Sequence, residues 1–388
     1  MHKLEKTIKV LTFSGYYLPG FKGGGPIKTI KNLFERTGKD LSFQLVTGDH
    51  DLGEKKPYSS VSINSWTTLG NVGIFYSSSD LLGIYKIAKI VCSSESDIIY
   101  LNSFFSIRYS LYPLLLVKLF RFNQQVVLGP RGEFSDGALG LKTIKKRFYI
   151  FLYKLLRLHK GTVFQASSDY EAENIASILG KAADIFIAED IGSLPPAAPI
   201  MARIDGPLKV VFVSRISPMK NLLLAIEVLK NVKNTIVYHI FGPIEDQHYW
   251  KECKVLINEL PSNITVEYKG ELLPNKVLST LTNYDLFFLP TKGENYGHVI
   301  AEALCAGLPI LISDRTPWRN LQQEGIGWDL ALDEPDQFSN AIDDYSTFNT
   351  KEHFRLRQNV LRWSKEKFSQ QDAVKANINM FHYAYDKK

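Results

Sequence analysis

The sequence predicts an α/β protein with two tandem domains, each a parallel sheet covered by helices on both faces. Its 388 residues, 45% hydrophobic and 22% charged, have an ordinary globular composition and suffice for about two domains of roughly 150 residues each. Short apolar runs alternate with amphipathic stretches along both halves, which is typical of βαβ units. Between the halves, residues 191–208 concentrate proline, glycine and alanine, as linkers do.

The strand patterns can be placed in order. TIKVLTFSG at residues 7–15 opens the first half and precedes a glycine-rich loop and a helix from about Ile27; LKVVFVSR at residues 208–215 opens the second half and precedes a helix from about Asn221. Residues 351–388 have a helical pattern. The other predicted strands lie at residues 41–48, 72–78, 97–103, 124–130, 162–168 and 185–190, then at 235–242, 264–270, 285–291 and 308–314.

These patterns predict the domain boundaries. We expect an N-terminal domain at residues 1–192, a linker at 193–207, a C-terminal domain at 208–370, and a final helix at 371–388 that could return to the N-terminal domain. Open α/β sheets bind ligands at the carboxyl ends of their strands. Two such domains in tandem therefore predict a ligand cleft between them.

The composition favours a cytoplasmic protein. Cys92, Cys253 and Cys305 lack CxxC spacing, so the sequence predicts neither a disulfide framework nor a zinc site and fits a reducing compartment. The N-terminal segment lacks the pattern of a secretory signal. No apolar run reaches the roughly 18 residues that a membrane-spanning helix needs.

The segment TKGENYGHVIAEALCAGLPILISD, residues 291–314, places Glu294 and Glu302 eight positions apart. A buried-strand pattern precedes it, KGEN predicts a turn, and GHVIAEALCAG predicts a helix closed by Gly307. The start of such a helix offers free N–H groups to phosphate oxygens. The two carboxylates could be a catalytic pair, hold a metal, accept hydrogen bonds from ligand hydroxyls, or merely solvate the turn and the helix.

Two further turns between a strand and a helix have features of phosphate-binding sites. Arg215 and Lys220 follow the first strand of the second half, where they could clamp a diphosphate. The consecutive Gly23, Gly24 and Gly25 allow a ligand to approach the backbone closely, although they do not form the dinucleotide-binding pattern G-x-G-x-x-G. Each feature taken alone is also common on solvated surface.

Together and in this order, the three turns resemble those of the retaining glycosyltransferases of family 4. The resemblance covers most of the chain, is strongest over residues 208–330, and depends most on ENYGHVIAEALCAGLP. It implies the GT-B fold, in which two Rossmann-like doubly wound α/β domains face a central cleft. It also implies an enzyme that needs no metal. The nucleotide-sugar donor is a substrate, so the resemblance implies no cofactor either.

The resemblance assigns roles to individual residues. Glu302 is expected to bind the ribose hydroxyls of the donor, Glu294 to contact its sugar, and Arg215 and Lys220 to hold its diphosphate; the last three are predicted to be catalytic. Loops at residues 242–249 and 269–275 are expected to touch the base. Gly23, Gly24 and Gly25 are also predicted to bind the donor, by approaching its phosphates across the cleft. The remaining predicted donor-binding residues are Asn295, Tyr296, Gly297 and His298, and the amides of the last two would receive phosphate.

One position departs from the family pattern. Many members carry a histidine after a strand of the N-terminal domain, whereas here Arg131 stands there, within Pro130-Arg131-Gly132. An arginine stays protonated and cannot be a general base. It could hold the acceptor or stabilise charge on the leaving diphosphate, and is then catalytic; a structural salt bridge is the alternative. This pattern, followed by GALGLKTIKKR, resembles family members that build bacterial surface polysaccharides such as O-antigen and capsule.

Asp49-His50-Asp51 has the D-x-D form that elsewhere holds a divalent cation in sugar-nucleotide chemistry. It follows an early strand, in the wrong domain for the donor, so a turn or capping role is the better interpretation. The histidines show no close ligand spacing for zinc. The sequence therefore predicts no metal site.

The N-terminal half is the more basic one. Residues 1–190 carry 24 Lys+Arg and 17 Asp+Glu, against 22 and 23 in the rest, which indicates an anionic partner for the first half. Residues 141–161 carry seven Lys/Arg and no acid among aromatic and aliphatic residues, as does an interfacial helix on anionic lipid. A core helix with a solvated basic edge is the alternative. No nucleic-acid recognition motif is present.

The sequence thus predicts a retaining, metal-independent hexosyltransferase that moves a sugar from a nucleoside-diphosphate carrier to a growing, lipid-linked oligosaccharide of the bacterial cell surface. We expect it to be peripheral on the inner face of the plasma membrane. A sugar-nucleotide epimerase or hydrolase with the same donor site is one alternative. A non-catalytic nucleotide-sugar-binding protein of a membrane assembly is another.

Overall fold

The computed structural model divides the chain into two compact units. Unit 1 comprises Met1–Ile191 with Gln371–Lys388, and unit 2 comprises Gly192–Gln370. Residues 193–205 of the predicted linker lie outside the described residues. The structure describes residues 7–78, 83–120, 122–140, 143–192, 206–369 and 371–388.

Unit 1 alternates strands with helices, as the hydrophobic pattern predicts. A π-helical turn, Ile107–Leu111, leads directly into the helix Tyr112–Leu119. The elements are β1 (Ile8–Phe13), α1 (Gly25–Thr37), β2 (Leu41–Gly48), β3 (Trp66–Leu69), β4 (Val72–Ser77), α2 (Ile84–Ser93), β5 (Ile98–Asn102), α3 (Tyr112–Leu119), β6 (Gln125–Gly129), α4 (Asp136–Gly140), α5 (Thr143–Leu155), β7 (Thr162–Ala166), α6 (Asp169–Leu179) and β8 (Asp184–Ile187).

The sheet of unit 1 has the order β3-β4-β2-β1-β5-β6-β7-β8. Each neighbouring pair is parallel except β3 and β4. Strand β3 was not predicted, because it is a four-residue edge strand with three exposed side chains and lacks a buried apolar run. The other strands coincide with the predicted runs. Parallel strands with connecting helices bury both sheet faces, so their sequences read as continuous apolar stretches.

Unit 2 repeats the alternation over a smaller sheet. Its elements are β9 (Leu208–Val213), α7 (Leu222–Lys230), β10 (Ile236–Phe241), α8 (Gln247–Asn258), β11 (Ile264–Gly270), α9 (Pro274–Leu281), β12 (Leu286–Leu289), α10 (His298–Cys305), β13 (Ile310–Ser313), α11 (Leu321–Glu324), β14 (Gly327–Leu330), α12 (Pro335–Ser346) and α13 (Thr350–Ser369). The chain closes with α14 (Asp372–Asp386), which lies in unit 1.

The sheet of unit 2 is parallel throughout, in the order β11-β10-β9-β12-β13-β14. From β9 the chain adds strands on one side as far as β11, then crosses to β12 and continues on the other side. The point between β9 and β12 is therefore a topological switch point, where doubly wound sheets bind ligands. The sequence did not reveal β14, which is short and only half buried.

Helix α13 fixes the helices behind this switch point. The buried guanidinium of Arg357 donates hydrogen bonds to the backbone oxygens of Gly307 and Tyr284, both at 3.1 Å. These carbonyls lie in the loops that follow α10 and α9. One side chain thereby binds the loops after both helices to α13.

Helix α14 completes the core of unit 1. Its Met380 and Phe381 are buried with residues of the sheet, and the Phe381 ring lies edge-on to that of Tyr100, with centroids 5.2 Å apart. Asn377 donates a hydrogen bond of 2.8 Å to the Glu189 carbonyl, just after β8. Among the described residues, no helix is both long and apolar enough to span a bilayer.

Candidate active site

Three loops at the carboxyl ends of β9, β12 and β13 are bonded into one surface of unit 2. The Lys292 amide donates to the Met219 carbonyl at 2.8 Å, and the Thr291 hydroxyl donates to the same oxygen at 3.1 Å. The Glu294 amide donates to the Arg315 carbonyl at 3.1 Å. The turn after β9 therefore lies against the Glu294 loop at the switch point.

This arrangement brings together two of the predicted site residues. The Lys220 ammonium lies 2.5 Å from a carboxylate oxygen of Glu294, and the two side chains are only 11% and 12% exposed. Water screens such a pair less than it screens a surface pair, so removing either partner would leave a costly, uncompensated charge. The pair holds a cation and an acceptor in fixed positions beside the start of α10.

Arg215 has a different partner. Its guanidinium lies 2.9 Å from Glu245, which follows β10, and both side chains are half exposed. The two loops approach closely at Gly242, whose φ is 139°; a Cβ there would fall 1.9 Å from the Ser214 carbonyl oxygen. Sequence reasoning missed Glu245 as a partner, although an acid after a strand that neighbours β9 was the available signal.

The loop before α10 is anchored by aromatic packing. Tyr296 is buried with its ring 5.4 Å from that of Trp318, and the indole N–H donates to the Tyr296 carbonyl at 2.5 Å. Gly297 precedes the helix in the left-handed region, with φ 77° and ψ 61°. A Cβ on Gly297 would lie 2.9 Å from the Ile300 side chain. Glycine is therefore required where the chain turns into α10.

The remaining predicted donor-binding residues of unit 2 lie on the same loop and helix. Asn295 is half buried, and His298, the first residue of α10, is buried with its ring 4.8 Å from that of Tyr296. Glu302 lies further along α10 and is half buried. Burial, together with the nearby Glu302 carboxylate, raises the pKa of Cys305 to about 12, which keeps that thiol protonated.

In unit 1, the glycine loop is held by a carboxylate from the D-x-D segment. Asp51 accepts hydrogen bonds from the backbone amides of Phe21 at 2.7 Å and Lys22 at 3.0 Å. Gly24 has φ 70° and precedes α1, which begins at Gly25, earlier than the predicted Ile27. The Asp51 carboxylate thus binds backbone amides and shapes the loop, which is the turn role that the sequence favoured.

Gly23 makes a close contact in the same loop, since a Cβ there would lie 3.1 Å from the Cβ of Tyr16. Asp49, the other acid of the D-x-D, lies 2.7 Å from Nδ1 of His50. Within the described ranges, no cluster of three or more His, Cys, Asp or Glu side chains could hold a metal ion.

Arg131 lies inside unit 1 in a buried hydrogen-bond network. Its guanidinium is 2.5 Å from Asp190 and donates to Asn102 at 2.8 Å, to Gln165 at 3.2 Å and to the Tyr100 hydroxyl. Burial opposes its charge, but Asp190 and the other acidic neighbours outweigh burial and raise the pKa of Arg131. The structure therefore contains the salt bridge that sequence reasoning kept as the alternative.

The basic helix of the predicted membrane segment is α5. Residues 141 and 142 lie outside the described residues. Tyr153 packs one face of α5 into the core, whereas Ile144, Phe148, Phe151 and Leu155 on another face are exposed. Their spacing of four, three and four residues forms one apolar stripe.

A cationic cluster lies near the end of α5. Burial and the surrounding Lys160, Lys154, Arg157 and Lys118 lower the pKa of His159. Lys118 comes from the end of α3 and donates to the Lys160 carbonyl. Basic side chains from two helices therefore converge near the end of the helix that carries the apolar stripe.

Comparison with known proteins identifies the domain that carries this loop and helix. Residues 200–362 match the protein-family model described as Glycosyl transferases group 1. The chain carries a group 1 glycosyltransferase domain. The resemblance to family 4, a family of retaining GT-B enzymes, and the prediction of a glycosyltransferase are thus confirmed. No significant match is found among curated protein sequences.

Solved structures share the fold, and those of two glycosyltransferases are among them. Anabaena Alr3699/HepE, solved in complex with UDP and glucose, has a TM-score of 0.70 at 15% identity, covering 97% of this chain and 99% of that one. WaaG, a glycosyltransferase involved in lipopolysaccharide biosynthesis, has a TM-score of 0.66 at 14% identity, with 96% and 99% covered. The lipopolysaccharide outer core galactosyltransferase WaaB has a TM-score of 0.66 at 16% identity, with 97% and 99% covered. The predicted GT-B fold is confirmed.

Proposed function

We propose that unit 2 binds a UDP-sugar at the carboxyl ends of β9 and β12, and that the enzyme transfers the sugar, with retention and without a metal, to a lipid-linked oligosaccharide of a bacterial surface polysaccharide. The observation that carries the donor site is the partly buried Lys220–Glu294 pair, 2.5 Å apart at the switch point. The choice of UDP is supported by the HepE complex with UDP-glucose.

The paired cations suit a diphosphate. Arg215 and Lys220 are each neutralised by a carboxylate, Glu245 and Glu294. When the diphosphate binds, its oxygens replace or supplement these acceptors, and each charge-assisted hydrogen bond contributes about 1.5–3 kcal/mol. The first amides of α10 point at the same phosphates, because a helix N-terminus attracts anions.

The two glutamates of the E-x7-E spacing accept hydrogen bonds from sugar hydroxyls. Glu302 binds the ribose, and Glu294 binds the transferred sugar while it holds Lys220. The Glu294 carboxylate already accepts a hydrogen bond from the Lys220 ammonium at 2.5 Å, which makes it an acceptor in this site. This assignment favours binding over acid/base catalysis by the pair.

The chemical step is a front-side displacement. The bond between the anomeric carbon and the leaving phosphate oxygen breaks as the acceptor oxygen bonds to that carbon on the same face. The acceptor proton passes to the leaving phosphate oxygen. Arg215 and Lys220 stabilise the charge that develops on the diphosphate, so the protein contributes positioning and electrostatic stabilisation.

Arg131 acts by positioning in this proposal. Its hydrogen bonds to Asp190, Asn102 and Gln165 join the carboxyl ends of β5, β6, β7 and β8 in unit 1. Asp190 also accepts a hydrogen bond of 2.9 Å from Thr29 of α1, the helix that begins at the glycine loop. Arg131 thereby fixes the edge of unit 1 that presents this loop.

Helix α5 supports a peripheral association with anionic membranes. Its apolar stripe leaves Ile144 85% exposed, and the cationic cluster of Lys118, Lys154, Arg157 and Lys160 surrounds His159 near the end of the same helix. Leu119 and Phe120, at the end of α3, are also exposed. An apolar face for the acyl boundary beside cations for anionic headgroups is the pattern of an interfacial helix, and it would bring the enzyme to a lipid-linked acceptor.

The proposal is tested by the reaction itself. The purified enzyme is incubated with UDP-glucose and other UDP-sugars, with and without a lipid-linked oligosaccharide in vesicles, and the products are identified by mass spectrometry. Acceptor-dependent transfer with a retained anomeric configuration is the expected result. Consumption of donor to the same extent without acceptor would instead indicate an epimerase or a hydrolase, and donor binding without any turnover would indicate a binding protein.

A further inference from the structure

A groove of about 860 Å³ lies on unit 1 between α5 and the end of α6. Its size falls within the roughly 300–1,000 Å³ of small-ligand pockets. The groove belongs to unit 1, whereas the donor site proposed above belongs to unit 2, so the donor does not account for it.

The walls of the groove are apolar and its charges are all positive. Ile150, Phe151 and Leu155 of α5 line it together with Ile178 of α6. Of the lining residues that the structure describes, none is acidic. Apolar walls suit a hydrocarbon chain, which gains free energy in proportion to the area removed from water.

Three basic side chains of α5 line the same groove. Lys154 donates a hydrogen bond of 2.9 Å to the Ile178 carbonyl of α6, and Lys146 donates one of 2.6 Å to the Ala138 carbonyl of α4. These bonds fix the two ammonium groups at the groove. Arg147 adds a guanidinium, whose planar fork matches phosphate oxygens.

We propose that this groove binds a phosphorylated lipid, with the first part of its hydrocarbon chain between α5 and α6 and its phosphate against Arg147. The inference rests on the proposed function, because such a lipid is the anchor of a lipid-linked acceptor. The groove is distinguishable from the membrane-facing stripe. Ile144 and Phe148 belong to the stripe only, whereas Phe151 and Leu155 belong to both.

The test uses farnesyl phosphate as a soluble probe of the full chain, below its micelle concentration, with calorimetric detection. Ser177 lines the groove on α6, so the indole of Ser177→Trp would obstruct part of it and weaken binding by at least about tenfold, as expected when several CH₂ groups of the chain are excluded. Arg147→Gln would lower the affinity for farnesyl phosphate towards that for farnesol, with Lys146 and Lys154 still present. Ile144→Glu, at an exposed stripe position, would leave both affinities unchanged.

The same proteins are then mixed with phosphatidylglycerol vesicles. Ser177→Trp retains vesicle binding and Ile144→Glu loses it, if groove and stripe are separate features. The proposal that the groove binds a phosphorylated lipid would be overturned by either of two results. One is equal binding of farnesyl phosphate to wild type and Ser177→Trp, and the other is equal affinity for inorganic phosphate and farnesyl phosphate. If every variant still bound vesicles while the farnesyl phosphate results were as expected, the proposed membrane association would be wrong and the proposed groove would stand.

Discussion

The ammonium of Lys220 and the carboxylate of Glu294 lie 2.5 Å apart, although 74 residues separate them in the chain. Adjacent parallel strands bring their carboxyl ends together, and the hydrogen bond between Lys292 and Met219 closes the loops over that edge. The predicted diphosphate clamp and the predicted sugar ligand are therefore one unit, and changing either affects the other.

Lys220→Met and Glu294→Gln are expected to separate the roles of this pair. Without Lys220, UDP binding falls by at least about tenfold, which corresponds to roughly 1.4 kcal/mol. Without the Glu294 charge, UDP binds at least as tightly as to wild type, because the unpaired Lys220 cation takes the diphosphate as its partner, but the added affinity for UDP-sugar over UDP is lost. Calorimetric titration with UDP and UDP-glucose measures both effects.

The matched control is Lys230→Met. Lys230 forms an ion pair of 3.3 Å with Glu259, with both side chains half exposed, so its removal changes stability by about 0–1 kcal/mol and leaves UDP binding unchanged. If Lys220→Met and Lys230→Met bound UDP equally well, the diphosphate would have to bind elsewhere.

Glu245→Gln is expected to tighten the binding of UDP up to about fivefold. The Glu245 carboxylate competes with the diphosphate for Arg215, and half-exposed charge pairs contribute up to about 1 kcal/mol. The effect should shrink as salt is raised, since screening weakens interactions between exposed charges. Weaker binding by the variant, measured in the same titrations, would show that Glu245 positions Arg215 instead.

Gly242→Ala is expected to destabilise unit 2. Gly242 has φ 139°, and its Cβ would fall 1.9 Å from the Ser214 carbonyl oxygen, so the backbone would have to move in addition to about 1–3 kcal/mol of conformational strain. Gly180→Ala is the control for strain alone, because Gly180 has φ 98° and open space around its Cβ position. Urea unfolding should show the larger loss for Gly242→Ala; equal losses would contradict the steric argument.

His159 makes stability depend on pH. Burial and four nearby cations lower its pKa in the folded chain, so the unfolded chain takes up the proton first. Its contribution is present above the ordinary pKa of about 6.5 and is lost as the pH falls through that value towards the folded pKa. His159→Gln should flatten the fall in unfolding midpoint between pH 7.5 and 5.5. His248→Gln, at an exposed position, controls for replacing a histidine, and an unchanged pH profile in His159→Gln would refute the linkage.

Association with anionic vesicles should depend on the exposed stripe of α5. Phe148→Ser with Phe151→Ser removes two exposed aromatic side chains and should weaken binding to phosphatidylglycerol vesicles by at least about tenfold, given ~1.5–3 kcal/mol for each large apolar side chain transferred from water. Leu273→Ser, an exposed apolar position of unit 2, is the control in co-sedimentation. Equal sedimentation of the two proteins would exclude α5 as the docking surface.

The sequence predicted the strands with buried apolar runs and the E-x7-E loop, because these depend on local patterns. It missed β3 and β14, which are short and incompletely buried. The partners of the charged residues could not be predicted. Arg131 could be catalytic or structural by sequence, and only the fold shows that Asp190, 59 residues away, lies beside it. Likewise, the acid in the loop after β10 becomes a usable signal only with the sheet order, which places β10 beside β9 and Glu245 next to Arg215.

The placement of α14 has a consequence for biosynthesis. Met380 and Phe381 fill the interior of unit 1, yet they are translated after every residue of unit 2. On the ribosome, where domains generally fold as they emerge, unit 2 can finish folding first, while unit 1 waits with an open apolar gap for its last helix. Shortening the chain before residue 380 should therefore leave unit 2 folded and make unit 1 the substrate of chaperones and proteases.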